Sequence, residues 1–417
     1  MKLKSLFAVA ASLAFSILIA GCSGGGWTTF RGVDGGGRSA SVIGAPIGLK
    51  WKIPLGRHEN ARRFFNQPLV ADDTIYFGSS DGNFYSMDIG TGLMNWTVRS
   101  GGPINAVAHV DRDNAYFGSS DGMIYCVRRA TGETVWTYQT QSAVNSTIVP
   151  YRDMVVAASD FDSVYFIKTN GELAFTLPNS VWSLNSFCIH DGALAFTPGT
   201  PEDPTSLAVY DIDRREYRWA LDTGPNRYPW FSFPAVRGNR LFYSSVGLDA
   251  EGLMRFRYDC IDFAGGNVLW ERNVPSRFPM GSPYDPERLF VENTRLLDYG
   301  APLLWRKSVI YASGDHALRS FDARNGKDLW VRDFDRPLST AVTLAGDRLY
   351  FGLRADASMA GGVVPSGGAL VCASPSTGRI LWTIPVDGTI LNSPVIAGRW
   401  ILFGTDAGFF YVFEKLY

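Results

Sequence analysis

Residues 75–96 read IYFGSSDGNFYSMDIGTGLMNW, and residues 115–136 repeat the same grammar as AYFGSSDGMIYCVRRATGETVW. Recurrence at about forty residues restricts a chain to stacked or radial architectures, because each unit must bury its apolar faces on the next copy. Within each unit, aromatic and β-branched residues alternate on both sides of an Asp-Gly pair, a strong hairpin signal. A Thr-Gly turn then leads into a strand that ends in Trp. A further inner strand precedes each unit, starting near Pro68, Ala106 and Ser146. Four strands per period predict a propeller blade.

The terminal aromatic of the repeat can be followed through Trp51, Trp96, Trp136, Phe175, Trp219, Trp270, Trp330 and Trp382, which gives eight blades. After Trp382 the chain supplies three more strands without a fourth, while the segment around Trp51 is a fourth strand without its three. The expectation is an all-β, eight-bladed β-propeller of four-stranded antiparallel blades over residues 49–417, closed by the amino-terminal strand joining the carboxyl-terminal blade. Closure would remove the open sheet edges that invite aggregation.

The repeat resembles that of pyrroloquinoline-quinone-type propellers, whose blades carry an Asp, a Thr-Gly and a Trp at these spacings. The turn is kept at Thr91-Gly92, Thr131-Gly132, Asn325-Gly326 and Thr377-Gly378, and drifts before Phe175 and Trp219. That resemblance implies fold more than function, since enzymes and non-catalytic scaffolds share it. A chain of 417 residues fits one ring, because each blade packs only on its neighbours. With 39 basic and 40 acidic residues dispersed along it, no electrostatic footprint for nucleic acid is present. Cys126, Cys260 and Cys372 take the same third-strand position in three blades and read as buried free thiols; Cys188 is expected on a second strand.

The amino terminus has basic Lys2 and Lys4 followed by an apolar run to Ala20, too short for a comfortable membrane span. It reads as an export signal over 1–21. Leu18-Ile19-Ala20-Gly21-Cys22 resembles a bacterial lipobox, which implies acylation of Cys22 and, with Ser23 following, an outer-membrane address. Residues 22–48 would then be the lipidated cysteine, a Gly-rich tether and a leader whose Trp27 and Phe30 dock on the ring.

With strand one innermost, inter-blade loops and the hairpins between strands two and three share one face. A polar residue recurs there before strand one, at Asn66, Asn105, Asn145, Asn185, Ser232, Thr340 and Asn392, with Gly281 in the remaining blade. These positions are candidates for a ring around the channel mouth, although Asn and Ser also start strands by bonding nearby backbone. Long loops on that face carry Arg62, Arg63, Phe64, Arg227, Tyr228 and Trp230, residue types enriched in binding hot spots; these are the candidate partner-binding residues. An insertion over 285–305 is expected between strands one and two, on the opposite face.

Chemistry is sparse. The two Gly-Ser-Ser-Asp-Gly turns match GxSxG formally but join strand to strand, without the strand-to-helix elbow. His58, His109, His190 and His316 show no metal spacing. Quinoprotein dehydrogenases of this fold use calcium-binding acids, a catalytic Asp and commonly a disulfide between adjacent cysteines. No adjacent cysteines occur here. No cofactor is expected, with pyrroloquinoline quinone plus calcium as the alternative.

Lipobox, tether and ring together resemble the BamB-like propeller lipoproteins of the outer-membrane β-barrel assembly machinery. The resemblance implies a non-enzymatic, periplasm-facing scaffold, monomeric within a complex, whose envelope partner is the β-barrel insertase. Family members contact it through an inter-blade loop with a Leu-x-Leu-Arg-like stretch; here that place holds residues 225–230, which keep Arg227 but not the leucines. A redox enzyme and a glycan- or ligand-binding propeller using residues 353–368 are the alternatives.

Overall fold

The computed structural model describes residues 26–32, 35–54, 66–179, 187–198, 206–222, 227–228, 233–248, 254–275, 301–313, 315–355 and 367–417; for 206, 227–228, 246–248 and 254 it describes the backbone alone. They form eight antiparallel blades. Blade one is Leu69–Ala71, Thr74–Gly78, Asn83–Asp88 and Met94–Arg99, hydrogen-bonded in sequence order. Blades two to seven repeat this meander over 109–139, 149–178, 188–222, 235–275, 303–333 and 343–386. Strand one neighbours strand one of the next blade at the seams between blades one and two, three and four, four and five, five and six, and seven and eight, so it is innermost.

Blade eight is assembled from both ends of the chain. Its first three strands are Val395–Ala397, Trp400–Gly404 and Phe409–Lys415, and its fourth is Ile47–Pro54, paired antiparallel from Ile47 opposite Lys415 to Pro54 opposite Phe409. The two ends meet where the other blades have a covalent turn, and the Leu416 N–H donates to the Pro46 carbonyl at 3.1 Å.

The burial pattern explains why the sequence reads as it does. Strands two and three, such as Thr74–Gly78 and Ser163–Lys168, are buried on both faces because a blade is sandwiched between neighbours. Only the outermost strand alternates exposed with half-buried positions, as in Thr134–Gln139. Apolar runs therefore fill the middle strands, and period-two alternation is confined to the rim.

The terminal Trp is the inter-blade fastener. Trp96 donates its indole N–H to the Arg129 carbonyl at 3.0 Å, and Trp136 donates to Thr169 at 2.9 Å. Trp51, Trp219, Trp270 and Trp330 repeat the bond onto the next blade. Each ring lies on the turn glycine of that blade. Gly132, at φ +77°, would bring an added Cβ within 2.9 Å of the Trp96 ring, so the turn requires glycine for both backbone and contact. Blade three substitutes Phe175, over which the Arg215 guanidinium stacks at 4.6 Å. Trp382 is the exception: it faces blade eight, where no turn links strands three and four, and its buried indole nitrogen has no hydrogen-bond partner.

Three expectations are corrected by the topology. Strand one of blade six is Leu303–Trp305, paired with Ser308–Ser313, so the long insertion precedes strand one and joins blade five to blade six. It belongs with the inter-blade loops and not on the opposite face. The register also makes position 300, not Gly281, equivalent to Asn66. Cys188 lies on strand one of blade four, Cys188–His190, not on strand two.

Candidate functional site

The face carrying the inter-blade loops and two-three hairpins gathers the sequence candidates. Its most pronounced feature is in blade five, where strands two and three, Arg240–Leu248 and Met254–Asp262, have nine residues each against five and six in blade two. Four extra residues raise this hairpin by roughly 13 Å at about 3.3 Å per residue. Residues 246–248 and 254 of the insertion after Ser245 thus continue the two strands. Arg227–Tyr228 forms a short strand against it, Arg227 opposite Gly247 and Tyr228 opposite Val246. Residues expected in a free loop are therefore fixed in backbone register beside the raised hairpin. Trp230, Arg62, Arg63 and Phe64 lie outside the described residues.

A buried ionic pair supports the neighbouring blade. Arg319 donates two bonds, of 2.6 and 2.5 Å, to the Asp315 carboxylate, and both side chains are almost wholly buried. In blade five, Arg257 bonds Asp259 at 2.7 Å and Glu271 at 3.0 Å. Charges at such depth persist because each is paired and hydrogen-bonded.

The polar positions before strand one divide into two groups. Asn66 and Thr340 are buried: the Gly78 N–H donates to Asn66 Oδ1 at 2.9 Å, and the Gly352 N–H to Thr340 Oγ1 at 2.9 Å. They tie the incoming loop to the end of strand two. Asn105 and Asn145, expected at the same position, stand one residue before it. The register gives Ala106 and Ser146 there, and Ser146 Oγ accepts the Ala158 N–H at 2.6 Å as Asn66 accepts that of Gly78. Asn105 Nδ2 donates to Asn145 Oδ1 at 3.1 Å and Asn145 Nδ2 to Asp160 at 2.8 Å. Ser120 completes this arc by donating to Asn145 Oδ1 at 2.9 Å. Asn392 is half-buried in blade eight. Asn185, Ser232 and Gly281 lie outside the described residues. The arc spans blades two and three of the channel mouth.

The hairpin acids are occupied structurally. Asp121 accepts the Met123 N–H at 2.9 Å through one oxygen and the Tyr125 hydroxyl at 2.7 Å through the other. Burial, then this carboxylate, pushes the Tyr125 hydroxyl up to about 12. Asp81 with Asn83 and Tyr85 repeats the arrangement. Ser80 and Ser120, the middle residues of the GxSxG matches, are half-buried in turns that join strand to strand, and Ser120 donates to Asn145 rather than to a histidine. Cys126, Cys260 and Cys372 are buried and free, in separate blades. Burial raises the Cys126 thiol to about 12 and the Cys372 thiol to about 11. Among the described residues no three His, Cys, Asp or Glu side chains gather as a metal would require.

The opposite face is covered by the leader, whose role the sequence indicated only through Trp27 and Phe30. Trp27 pairs with Val70 of blade one, Thr28 accepts the Val110 N–H of blade two, and Phe30 lies 5.1 Å from Phe233. Arg31, 1% exposed, donates to the Pro302 carbonyl at 3.2 Å. Arg38–Ser39 then runs parallel to strand one of blade seven, and Ser39 Oγ donates to Ile396 of blade eight at 2.7 Å. Its contacts with blade after blade make the leader a plug across the channel.

Fold and surfaces together define a single-ring β-propeller of the PQQ-like repeat class, plugged on one side and raised at blade five on the other. The chain belongs to the family described as outer membrane protein assembly factor BamB, whose model matches residues 7–138, 140–358 and 314–416. Among solved structures, BamB from Moraxella catarrhalis is similar at TM-score 0.64 and 15% identity, covering 89% of this chain and 99% of that one. A europium-containing methanol dehydrogenase is similar at TM-score 0.64 and 11% identity, covering 94% and 98%. The computationally designed Ika8 protein is similar at TM-score 0.62 and 14% identity, covering 85% and 98%. No curated protein matches the sequence. Identities this low establish a shared fold.

Proposed function

We propose that the protein is a non-enzymatic scaffold of the bacterial envelope, an accessory factor in outer-membrane β-barrel assembly. The observation that carries this reading is the match of the assembly-factor family along the chain, joined to a blade-five hairpin braced by Arg227–Tyr228. A rigid ring presenting one raised, backbone-braced hairpin suits protein recognition, because little conformational entropy is lost on binding. The partner is the β-barrel insertase, contacted through Arg227, Tyr228 and Trp230, with Arg62, Arg63 and Phe64 on the same face.

In this reading the Cys22 thiol is diacylglycerylated, residues 1–21 are removed, the new amino terminus is acylated, and the protein is held at the outer membrane facing the periplasm. Several acyl chains anchor stably where one does not. Cys22 precedes Gly26 by four residues, at most about 14 Å of extended chain. The leader face is thereby turned to the membrane and the blade-five hairpin away from it.

A photo-crosslinking residue at position 227 or 228, in cells, tests the proposal. Capture of a barrel-assembly component is expected. Recovery of no envelope protein from either position, with the lipoprotein present at normal level, contradicts it. The quinone alternative, favoured only by the fold shared with the methanol dehydrogenase, predicts quinone absorbance and dye reduction after reconstitution with calcium; a featureless, inactive sample ends it.

A further inference from the structure

The outer strands expose an apolar side chain just before the terminal aromatic, as at Met94, Val135, Leu173, Leu329 and Leu381. Such residues stand singly around the rim and call for no partner. At the seam between the chain ends they are joined by others. Leu49, 53% exposed, takes that place in blade eight, and Val42, Leu416 and Tyr417 are exposed to 67%, 44% and 87%. Ser41 Oγ accepts the Gly398 N–H at 2.7 Å, and a Cβ added at Gly346 would lie 3.1 Å from Val42, which places Val42 between the first turns of blades seven and eight. The Leu416 N–H donates to Pro46, and a Cβ added at Gly48 would come within 2.8 Å of Leu416. The four side chains thus gather where the leader face meets the rim.

The charged side chains around them are mainly cationic. Lys50 and Arg399 share the Glu414 carboxylate at 3.7 and 3.6 Å, and both lie over the Trp400 ring. Arg348 approaches Asp347 only to 3.9 Å, and among the described residues Lys415 makes no ion pair. Blade four, across the ring, instead carries Asp191, Asp211, Asp213 and Glu216 on this face. An exposed apolar patch rimmed by cations, with a tyrosine in it, has the composition of a surface that meets lipid headgroups. The apolar groups enter the interface, the phenol sits at headgroup depth and the Lys and Arg stems reach anionic phosphates.

The length of chain ahead of the ring favours a bilayer over a protein as the occupant. Gly26 lies against Val70 of blade one, the blade next to the seam, and Cys22 is four residues earlier. An acyl anchor there keeps this sector within one short span of the membrane. We propose that the seam sector, Val42, Leu49, Leu416 and Tyr417 with Lys50 and Lys415, docks on an anionic phospholipid surface as a second contact beside the anchor. The inference rests on the envelope reading above for the acylated cysteine. One anchor leaves the ring free to swing on its tether; a second contact fixes its tilt, so the raised hairpin keeps one orientation to the membrane.

A fluorophore on Val42→Cys, Leu416→Cys or, in blade four, Arg214→Cys tests the docking. The full acylated chain carries Cys188→Ala, since the other described thiols are buried. It is placed on vesicles of about three parts phosphatidylethanolamine to one phosphatidylglycerol that contain a nitroxide-bearing lipid. Quenching by the lipid nitroxide is expected at positions 42 and 416, roughly threefold or more above that at 214. Lys50→Glu together with Lys415→Glu should bring the signal at 42 down to the level of 214. Thermal melts report the fold of each variant, and flotation with the vesicles reports the anchor. Equal quenching at all three positions in a chain that floats would overturn the docking and leave the anchor standing, whereas a chain that does not float would overturn both. Quenching at 42 unchanged by the folded double variant would also overturn the proposal.

Discussion

Replacing Trp96 by Phe should destabilise the ring more than replacing Trp382 by Phe, although both change the same residue at the same position of the repeat. In blade one the change removes a 3.0 Å bond to the Arg129 carbonyl, a net loss of about 1 kcal/mol. In blade seven it removes an indole N–H that is buried without a partner, relieving a desolvation penalty of about 1–3 kcal/mol. The apolar area lost is similar in the two cases and cancels in the comparison. The expected difference is therefore about 2–4 kcal/mol, at least roughly thirtyfold in the unfolding constant. Urea denaturation followed by far-ultraviolet circular dichroism, with comparable slopes for both variants, measures it. A Trp382→Phe variant as destabilised as Trp96→Phe would refute the reasoning that the seam between the chain ends leaves Trp382 without an acceptor.

Other outcomes follow from the same geometry. Gly132→Ala must place a side chain at φ +77° and 2.9 Å from the Trp96 ring, whereas Gly238→Ala has positive φ but open space; denaturation should show about 1 kcal/mol for the second and clearly more for the first. Asp315→Ala strands the buried Arg319 charge and should lower stability by about 3–5 kcal/mol, while Asp315→Leu with Arg319→Met recovers most of it. His109, buried against Tyr116, has its pKa held down to about 4 from 6.5 by desolvation. The unfolded chain then binds a proton that the folded one refuses, so stability falls as pH drops from 6.5 toward about 4, by about 3 kcal/mol in all. His109→Gln should flatten that slope in melts recorded across the window.

The architecture was legible because its chemistry repeats. Asp-Gly at the two-three hairpin of blades one and two, Gly at the next turn and Trp at the end of strand four each serve a contact that recurs from blade to blade. Where a blade breaks the pattern, the reading slipped. Gly281-Ser282-Pro283 imitates the Asn392-Ser393-Pro394 that opens blade eight, and so strand one of blade six was expected some twenty residues early. Leu303–Trp305, three residues with no alternation, offered little local signal. The recurring polar residue before strand one was visible, but not that Asn66 and Thr340 turn inward to backbone while Asn105 and Asn145 turn to each other. The difference is one of register: Asn105 and Asn145 stand one residue further from strand one than Asn66 and Thr340 do.

The central claim is that the strand Ile47–Pro54 closes the ring by pairing with Phe409–Lys415. Amide hydrogen exchange on the full chain tests it directly. The hydrogen-bonded amides of 47–54 should exchange as slowly as those of 409–415, both limited by opening of the whole ring. Free exchange across 47–54, with 409–415 still protected by its pairing to Trp400–Gly404, would contradict it.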